Sequence, residues 1–203
     1  MIKRTDSYHH KNLRRELLKA AMSLLDEKGV AGVTIRETAR RTGVAHSAPA
    51  NHFANRKSLL TAIATEIFKT LGQRITAQLA SAGPDPEERI RCFAESVITY
   101  GLKHPHRFRL LWLRDHLDNS DESLVAAMDM IYENLVSELT TTVSSRVSPE
   151  SQAISLWAMV HGYVCMRLDG NLVSKTDEKT GELRQHAIVT ALLDGLSPSR
   201  RAR

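Results

Sequence analysis

Hydrophobic residues recur at three- and four-residue spacing along nearly the whole chain, a pattern that predicts helix after helix. The first such segment, over about 10–28, places Leu13, Leu17, Ala20, Ala21 and Leu24 on one face with Lys and Arg between them, and Gly29 ends it. Thr34-Ile35-Arg36-Glu37 has the form of a capping box, in which the Thr34 hydroxyl takes an amide of the first turn and Glu37 reaches back. A short helix is therefore predicted from Thr34 to near Thr42, closed by Gly43. A third is predicted over about 45–53, with Pro49 tolerable only in or near its first turn. A fourth opens after Asn55, an N-cap residue, and carries Leu59, Leu60, Ile63, Ile67, Phe68 and Leu71 on its apolar side.

Ser81-Ala82-Gly83-Pro84-Asp85-Pro86 then interrupts the periodicity. Beyond it, helices are predicted over about 86–103, 105–114, 121–144, 149–169 and 179–196, with Ser148 and Pro149 as a cap and a first-position proline. No segment alternates as a half-buried strand does, and nothing repeats at a fixed period. The fold class is all-α, about nine helices. A three-helix module is expected at 9–68, a helical body at 69–197 and a basic tail at 198–203.

Charge adds a direction to this layout. Residues 1–60 hold 12 Lys and Arg against 5 Asp and Glu, whereas the remainder holds 16 against 18. A basic module on a near-neutral body is the footprint of a protein whose one end meets a polyanion, and charge alone fits a well-solvated surface equally. No run approaches the roughly 20 uninterrupted apolar residues of a membrane span; even Leu156 to Leu168 is broken by His161, Gly162 and Arg167. The first ten residues are polar and charged, so a cytoplasmic protein without a membrane partner is expected. Cys92 and Cys165 stand far apart in apolar helical patterns and read as small hydrophobes. His9-His10 and His104-x-His106 complete no set of metal ligands, and Asp115-His116 has no attendant nucleophile motif. With no glycine-rich phosphate loop and no Gly-x-Ser-x-Gly, neither an enzyme nor a metal site nor a cofactor is expected.

The region that carries function is Thr34 to Phe53. Two short helices meet across a turn with a small residue, Ala39, inside the first helix, and Gly43 four positions later where the backbone needs positive φ. Val44 plugs the core between them. This is a helix-turn-helix arrangement, whose second helix enters the major groove while the first crosses the backbone. An ordinary αα-hairpin uses the same small residues.

Residues 9–68 resemble the DNA-binding domain of the tetracycline-repressor-like (TetR/AcrR) family. The resemblance is carried by a long first helix ending in Glu-Lys-Gly, then Val-Thr-Ile-Arg-Glu-Thr-Ala, Thr-Gly-Val-Ala and His-Phe-Ala-Asn-Arg-Lys-Ser-Leu-Leu. In the body, Trp157-Ala-Met-Val-His161-Gly162 resembles the Trp-x-x-x-His-Gly signature of one C-terminal ligand-binding subfamily, in which His104-Pro-His-Arg-Phe-Arg-Leu-Leu-Trp112 is also familiar in style. The resemblance implies a sequence-specific transcriptional regulator, a repressor released from a palindromic double-stranded operator by a small apolar or amphipathic effector. An effector-independent architectural or partner-recruiting protein is the alternative.

Carried over residue by residue, the family pattern implies that Thr34 gives its amide and hydroxyl to a phosphate and that Arg36 reaches the backbone or a base edge. It places His46, Ser47, Ala48 and Asn51 on the exposed start and face of the recognition helix, within reach of base edges. His52 would contact phosphate with Phe53 in the core, and Arg56 and Lys57 would grip phosphate. Two positions depart from the pattern: Ala50 stands where many members carry tyrosine, and Pro49 where a branched aliphatic residue is common. The first loses a phosphate contact, and the second shifts where the recognition helix begins.

The segment at 149–169 is apolar on nearly every side, which requires burial on nearly every side. One side packs on the chain's own body; the other suits a second copy, beside the 179–196 segment with Ile188, Ala191, Leu192 and Leu196. The family resemblance implies a homodimer through these helices, matched to a palindrome; burial inside a monomer is the alternative. Phe93, Val97, Tyr100, Phe108, Trp112, Met128, Ile131 and Trp157 take inward-facing positions. The family lines an effector cavity with such positions, and a plain core uses them too. His161 adds a polar group able to orient a guest.

Overall fold

The structure, a computed structural model, describes residues 4–142 and 147–196, with side chains from 12 to 140 and from 147 to 195. The tail at 198–203 and the helix end expected at Ser144 lie outside the described residues. Eight α-helices are present among them: α1 (Arg4–Gly32), α2 (Ile35–Thr42), α3 (Arg56–Ser81), α4 (Pro86–Lys103), α5 (Pro105–Leu111), α6 (Glu122–Thr142), α7 (Pro149–Leu168) and α8 (Arg184–Leu196). Two 3-10 turns lie at Ala48–Asn51 and Arg114–His116. No strand occurs among the described residues, only an isolated bridge between Thr176 and Leu183. The expected all-α class holds.

The chain forms two compact units, one from the residues up to Phe68 together with His104–Ala126, the other from Lys69–Lys103 and the residues from Ala127 onward. In the first, Leu17, Ala21, Leu24 and Leu25 of α1 are buried, as are Ala39, Phe53, Leu59, Leu60 and Ile63. Each such leucine contributes roughly 1.5–3 kcal/mol by leaving water. α5 packs on α1, and Arg107 donates to both carboxylate oxygens of Asp26 at 2.7 and 2.6 Å. In the second unit α4 packs on α7 and α8. Ile90, Phe93, Ala94 and Val97 are buried there with Leu156, Val160, Val164, Val189 and Leu193. Arg89 holds Glu138 through two bonds of 2.6 Å, and His186 Nδ1 lies 2.5 Å from Glu95 Oε1.

Several ends differ from the periodic reading. α1 runs on to Gly32, but Gly29 interrupts it with φ 67° and ψ −173°. The 105–114 helix stops at Leu111, and Leu113 leaves helical space at φ −85°, ψ 64°. The last helix starts at Arg184 rather than near 179, because Asp177 Oδ1 takes the amides of Lys179 and Thr180 at 3.0 Å and folds that stretch into a turn. The expected helix over 45–53 is a single 3-10 turn. Pro49 has no N–H, so the α-type bond to the Ala45 carbonyl cannot form. Instead Ala48 N donates to Ala45 O, Ala50 N to Ser47 O and His52 N to Pro49 O, at 3.0, 3.2 and 2.9 Å.

Candidate nucleic-acid interface

α2 begins where Thr34, in extended conformation, accepts the Glu37 amide on its hydroxyl oxygen at 3.1 Å. The return half of the expected capping box is absent, because the Glu37 carboxylate is occupied elsewhere: Arg40 donates to it at 2.9 and 2.6 Å, and Lys28 at 3.4 Å. Gly43 closes α2 in the left-handed region, φ 72° and ψ 25°, with its N–H on the Ala39 and Arg40 carbonyls. Val44 N follows onto Ala39 O at 3.1 Å. The chain then makes the 3-10 turn and reaches α3. Asn55 caps α3 reciprocally: Ser58 N donates to Asn55 Oδ1 at 2.9 Å while Asn55 N donates to Ser58 Oγ at 3.2 Å.

Of the residues singled out for DNA, His46, Ser47 and Asn51 are exposed, Ala48 and His52 are half-buried, and Pro49 alone in the 46–51 stretch is buried. Arg36 and Lys57 are exposed and Thr34 is half-buried. Arg56 is placed differently from its neighbour. Its Nε donates to the Val33 carbonyl at 2.7 Å and its Nη2 to the Val30 carbonyl at 2.6 Å.

Other cations of this unit also have local partners. Arg41 clamps Glu27 with Nη1 and Nη2 at 2.5 and 2.6 Å and adds Ser23 Oγ at 2.9 Å. The Arg14 guanidinium lies 5.2 Å from the centre of the Phe53 ring. These contacts hold acids well below their ordinary range. The Arg41 and Ser23 hydrogen bonds bring Glu27 to about 2, and those from Arg40 and then Lys28 bring Glu37 to about 2. The Glu27–Arg41 pair, fourteen positions apart on different helices, was missed from the sequence and obeys no spacing rule.

In the second unit, Phe93, Val97, Tyr100 and Ile131 are buried, and Met128, Trp157 and His161 are half-buried. The Phe93 and Trp157 ring centres are 6.2 Å apart. His161 Nε2 lies 3.5 Å from Cys165 Sγ, and burial lowers the imidazole's pKa, favouring the neutral ring. Phe108 and Trp112 belong to the first unit, their ring centres 5.9 Å apart. A groove of about 300 Å³ in the second unit is lined by Gln78, Ser81, Ala82, Glu88, Cys92, Glu95 and Thr99, none of them among the expected effector residues. No helix among the described residues is long and apolar enough to cross a membrane.

Two family models match the chain. Residues 17–63 match the one described as bacterial regulatory proteins, tetR family, and residues 90–191 the one described as tetracyclin repressor-like, C-terminal domain. Among curated proteins, the HTH-type transcriptional regulator BetI of Stenotrophomonas maltophilia is 28% identical over 82 residues, 40% of this chain. BetI of Yersinia pestis is 30% identical over 83 residues. The matched stretch spans 42% of the length of each of these relatives. Among solved structures, a protein of unknown function from Rhodococcus sp. RHA1 superposes with a TM-score of 0.76 at 26% identity, covering 91% of this chain and 95% of that one. The fatty acid degradation regulator FadR of Bacillus halodurans shares the fold at 15% identity, with a TM-score of 0.67 over 94% of this chain and 97% of its own.

Proposed function

The chain belongs to the tetR family of bacterial regulatory proteins, and we propose that it is a sequence-specific DNA-binding transcriptional regulator, a repressor acting in the cytoplasm. The observation that carries the reading is the Thr34-capped, Gly43-closed α2 followed by a reading segment whose polar side chains, His46, Ser47 and Asn51, face solvent. A segment that buries one residue, Pro49, and exposes its hydrogen-bonding groups serves recognition better than packing. Thr34 contacts a phosphate at the start of α2 and Arg36 the backbone or a base edge, His46, Ser47, Ala48 and Asn51 meet base edges, and His52 and Lys57 hold phosphate. No catalytic role and no cofactor belong to this reading.

The partner is a palindromic operator, bound by a homodimer that pairs through the segments expected at 149–169 and 179–196, whose helices are α7 and α8. Support for that pairing comes from apolar side chains left on α7: Ile154 is 61% exposed and Met166 43%. Release is by a small apolar or amphipathic effector held in the second unit among Phe93, Val97, Tyr100, Met128, Ile131 and Trp157, with His161 as the orienting polar group. The effector acts by favouring the arrangement of reading heads that does not match successive major grooves, and it shifts the balance only as far as its differential affinity allows.

Fluorescence anisotropy across a salt series tests the central claim, with a duplex selected from a random pool by the wild-type chain set against random DNA. Steep salt dependence and a preference of at least about a thousandfold are expected. If no duplex is preferred over random DNA, operator reading is refuted.

A further inference from the structure

We infer that Arg56 is a positioning residue, fixing the junction between α1 and α2, and that Lys57 alone of the pair grips phosphate. This rests on the DNA-binding reading above and deepens it by dividing the labour between two adjacent cations. The last carbonyls of a helix lack intrahelical partners and carry partial negative charge. In α1 this end is further disturbed, since Gly29 leaves helical space and the last turn follows that break. The Val30 carbonyl lies in that turn and the Val33 carbonyl just past Gly32, and Arg56 donates to both, at 2.6 and 2.7 Å. Val30 O also takes the Val33 amide at 3.1 Å, so one short stretch of backbone is held from two directions.

The residue after Val33 is Thr34, the N-cap from which α2 starts. Arg56 is itself the first residue of α3. A single guanidinium thus sets where α1 stops and α2 begins, relative to α3. Its planar fork spans two acceptors at once, which a lysine ammonium, a single point of charge, does not reproduce. Arg56 already commits its Nε and an Nη2 donor to these carbonyls, which fixes where its guanidinium lies, whereas the exposed Lys57 is tied to no such pair.

The test uses the full chain with Arg56→Lys, Arg56→Ala and Lys57→Ala, each titrated with the selected duplex over a salt series. Hydrogen exchange at the Val33, Glu37 and Thr38 amides is followed in parallel. Lys57→Ala is expected to make the salt slope shallower by about one and to leave exchange unchanged. Both Arg56 variants are expected to lose at least about tenfold in affinity with the wild-type salt slope, and to exchange faster at all three amides, because the fork that bridges the two carbonyls is gone. Wild-type affinity in Arg56→Lys overturns the inference, as does an Arg56→Ala slope as shallow as that of Lys57→Ala. Should the wild type prefer no duplex, the DNA-binding reading fails, and the exchange arm still decides the junction: unchanged protection in Arg56→Ala overturns it.

Discussion

Replacing Gly29 by alanine is expected to destabilise the chain by about 2–4 kcal/mol, from two separable causes. The backbone there, φ 67° and ψ −173°, lies in a region essentially restricted to glycine, and forcing another residue into it costs of order 1–3 kcal/mol. A Cβ would also meet the His106 ring, 3.1 Å from Nδ1 and 3.3 Å from Cε1. Moving the ring away from α1 adds a further overpacking cost of about 1–3 kcal/mol. The smaller conformational entropy of unfolded alanine offsets about 0.4–1 kcal/mol of this. Combining Gly29→Ala with His106→Ala separates the causes, because the steric part disappears while the backbone part remains. Gly43 is the control: it has φ 72° and ψ 25°, and a Cβ on it meets nothing within 4 Å. Alanine there costs about 1–2 kcal/mol, and asparagine, which visits the left-handed helical region routinely, recovers most of it. Asparagine at Gly29 recovers nothing, because ψ lies far from that region. Urea unfolding followed by circular dichroism, with site-resolved exchange in α1, measures all five variants. Gly29→Ala within about 0.5 kcal/mol of wild type, the range of neutral surface changes, refutes the reasoning. So does Gly29→Asn as mild as Gly43→Asn.

Three further outcomes follow from the same geometry. Glu27 and Glu37 titrate at about 2 in the folded chain against an ordinary 4.5, so the unfolded chain takes up protons first as the pH falls. Their contribution to stability is complete above pH 4.5 and fades toward pH 2. The double variant Glu27→Gln/Glu37→Gln should flatten the dependence of the urea midpoint on pH in that window, and an unaltered dependence contradicts the assignment. Asn55→Ala removes the side-chain half of the α3 cap and should cost about 1 kcal/mol in urea unfolding; no change means the Asn55 side chain contributes nothing measurable there. Ile154→Glu puts a charge on the face of α7 proposed to pair with a second copy; on that proposal sedimentation velocity shows a wild-type dimer and a monomeric variant, and a monomeric wild type or an intact variant dimer refutes pairing through Ile154.

Much of the architecture was readable because burial is periodic. Leu59, Leu60, Ile63, Ile67, Phe68 and Leu71 were placed on one face by spacing and all six are buried. Pro86–Lys103 came out with the bounds expected. What periodicity does not encode is backbone-level competition. Residues 45–53 have helical-looking spacing, yet one missing N–H at Pro49 reduces them to a 3-10 turn. The 179–183 stretch looked like more helix until the Asp177 carboxylate took two amides ahead of it. Partners distant in sequence were equally silent. Nothing in the spacing of Arg56 announces that its acceptors are backbone carbonyls 23 and 26 positions earlier. Nor does the 104–126 stretch advertise that it folds with the N-terminal residues, since an amphipathic helix records that it has a buried face and not what covers it.

The near-total exposure of the 46–51 segment has an evolutionary consequence. With only Pro49 in the interior, substitutions at His46, Ser47, Ala50 and Asn51 fall among surface changes that usually alter stability by no more than about 0.5 kcal/mol. After a gene duplication, these four positions are free to drift through many combinations without either copy unfolding. On the proposed DNA-reading role of this segment, two descendants of one ancestor can thus acquire different target preferences in a handful of steps while inheriting an unaltered scaffold.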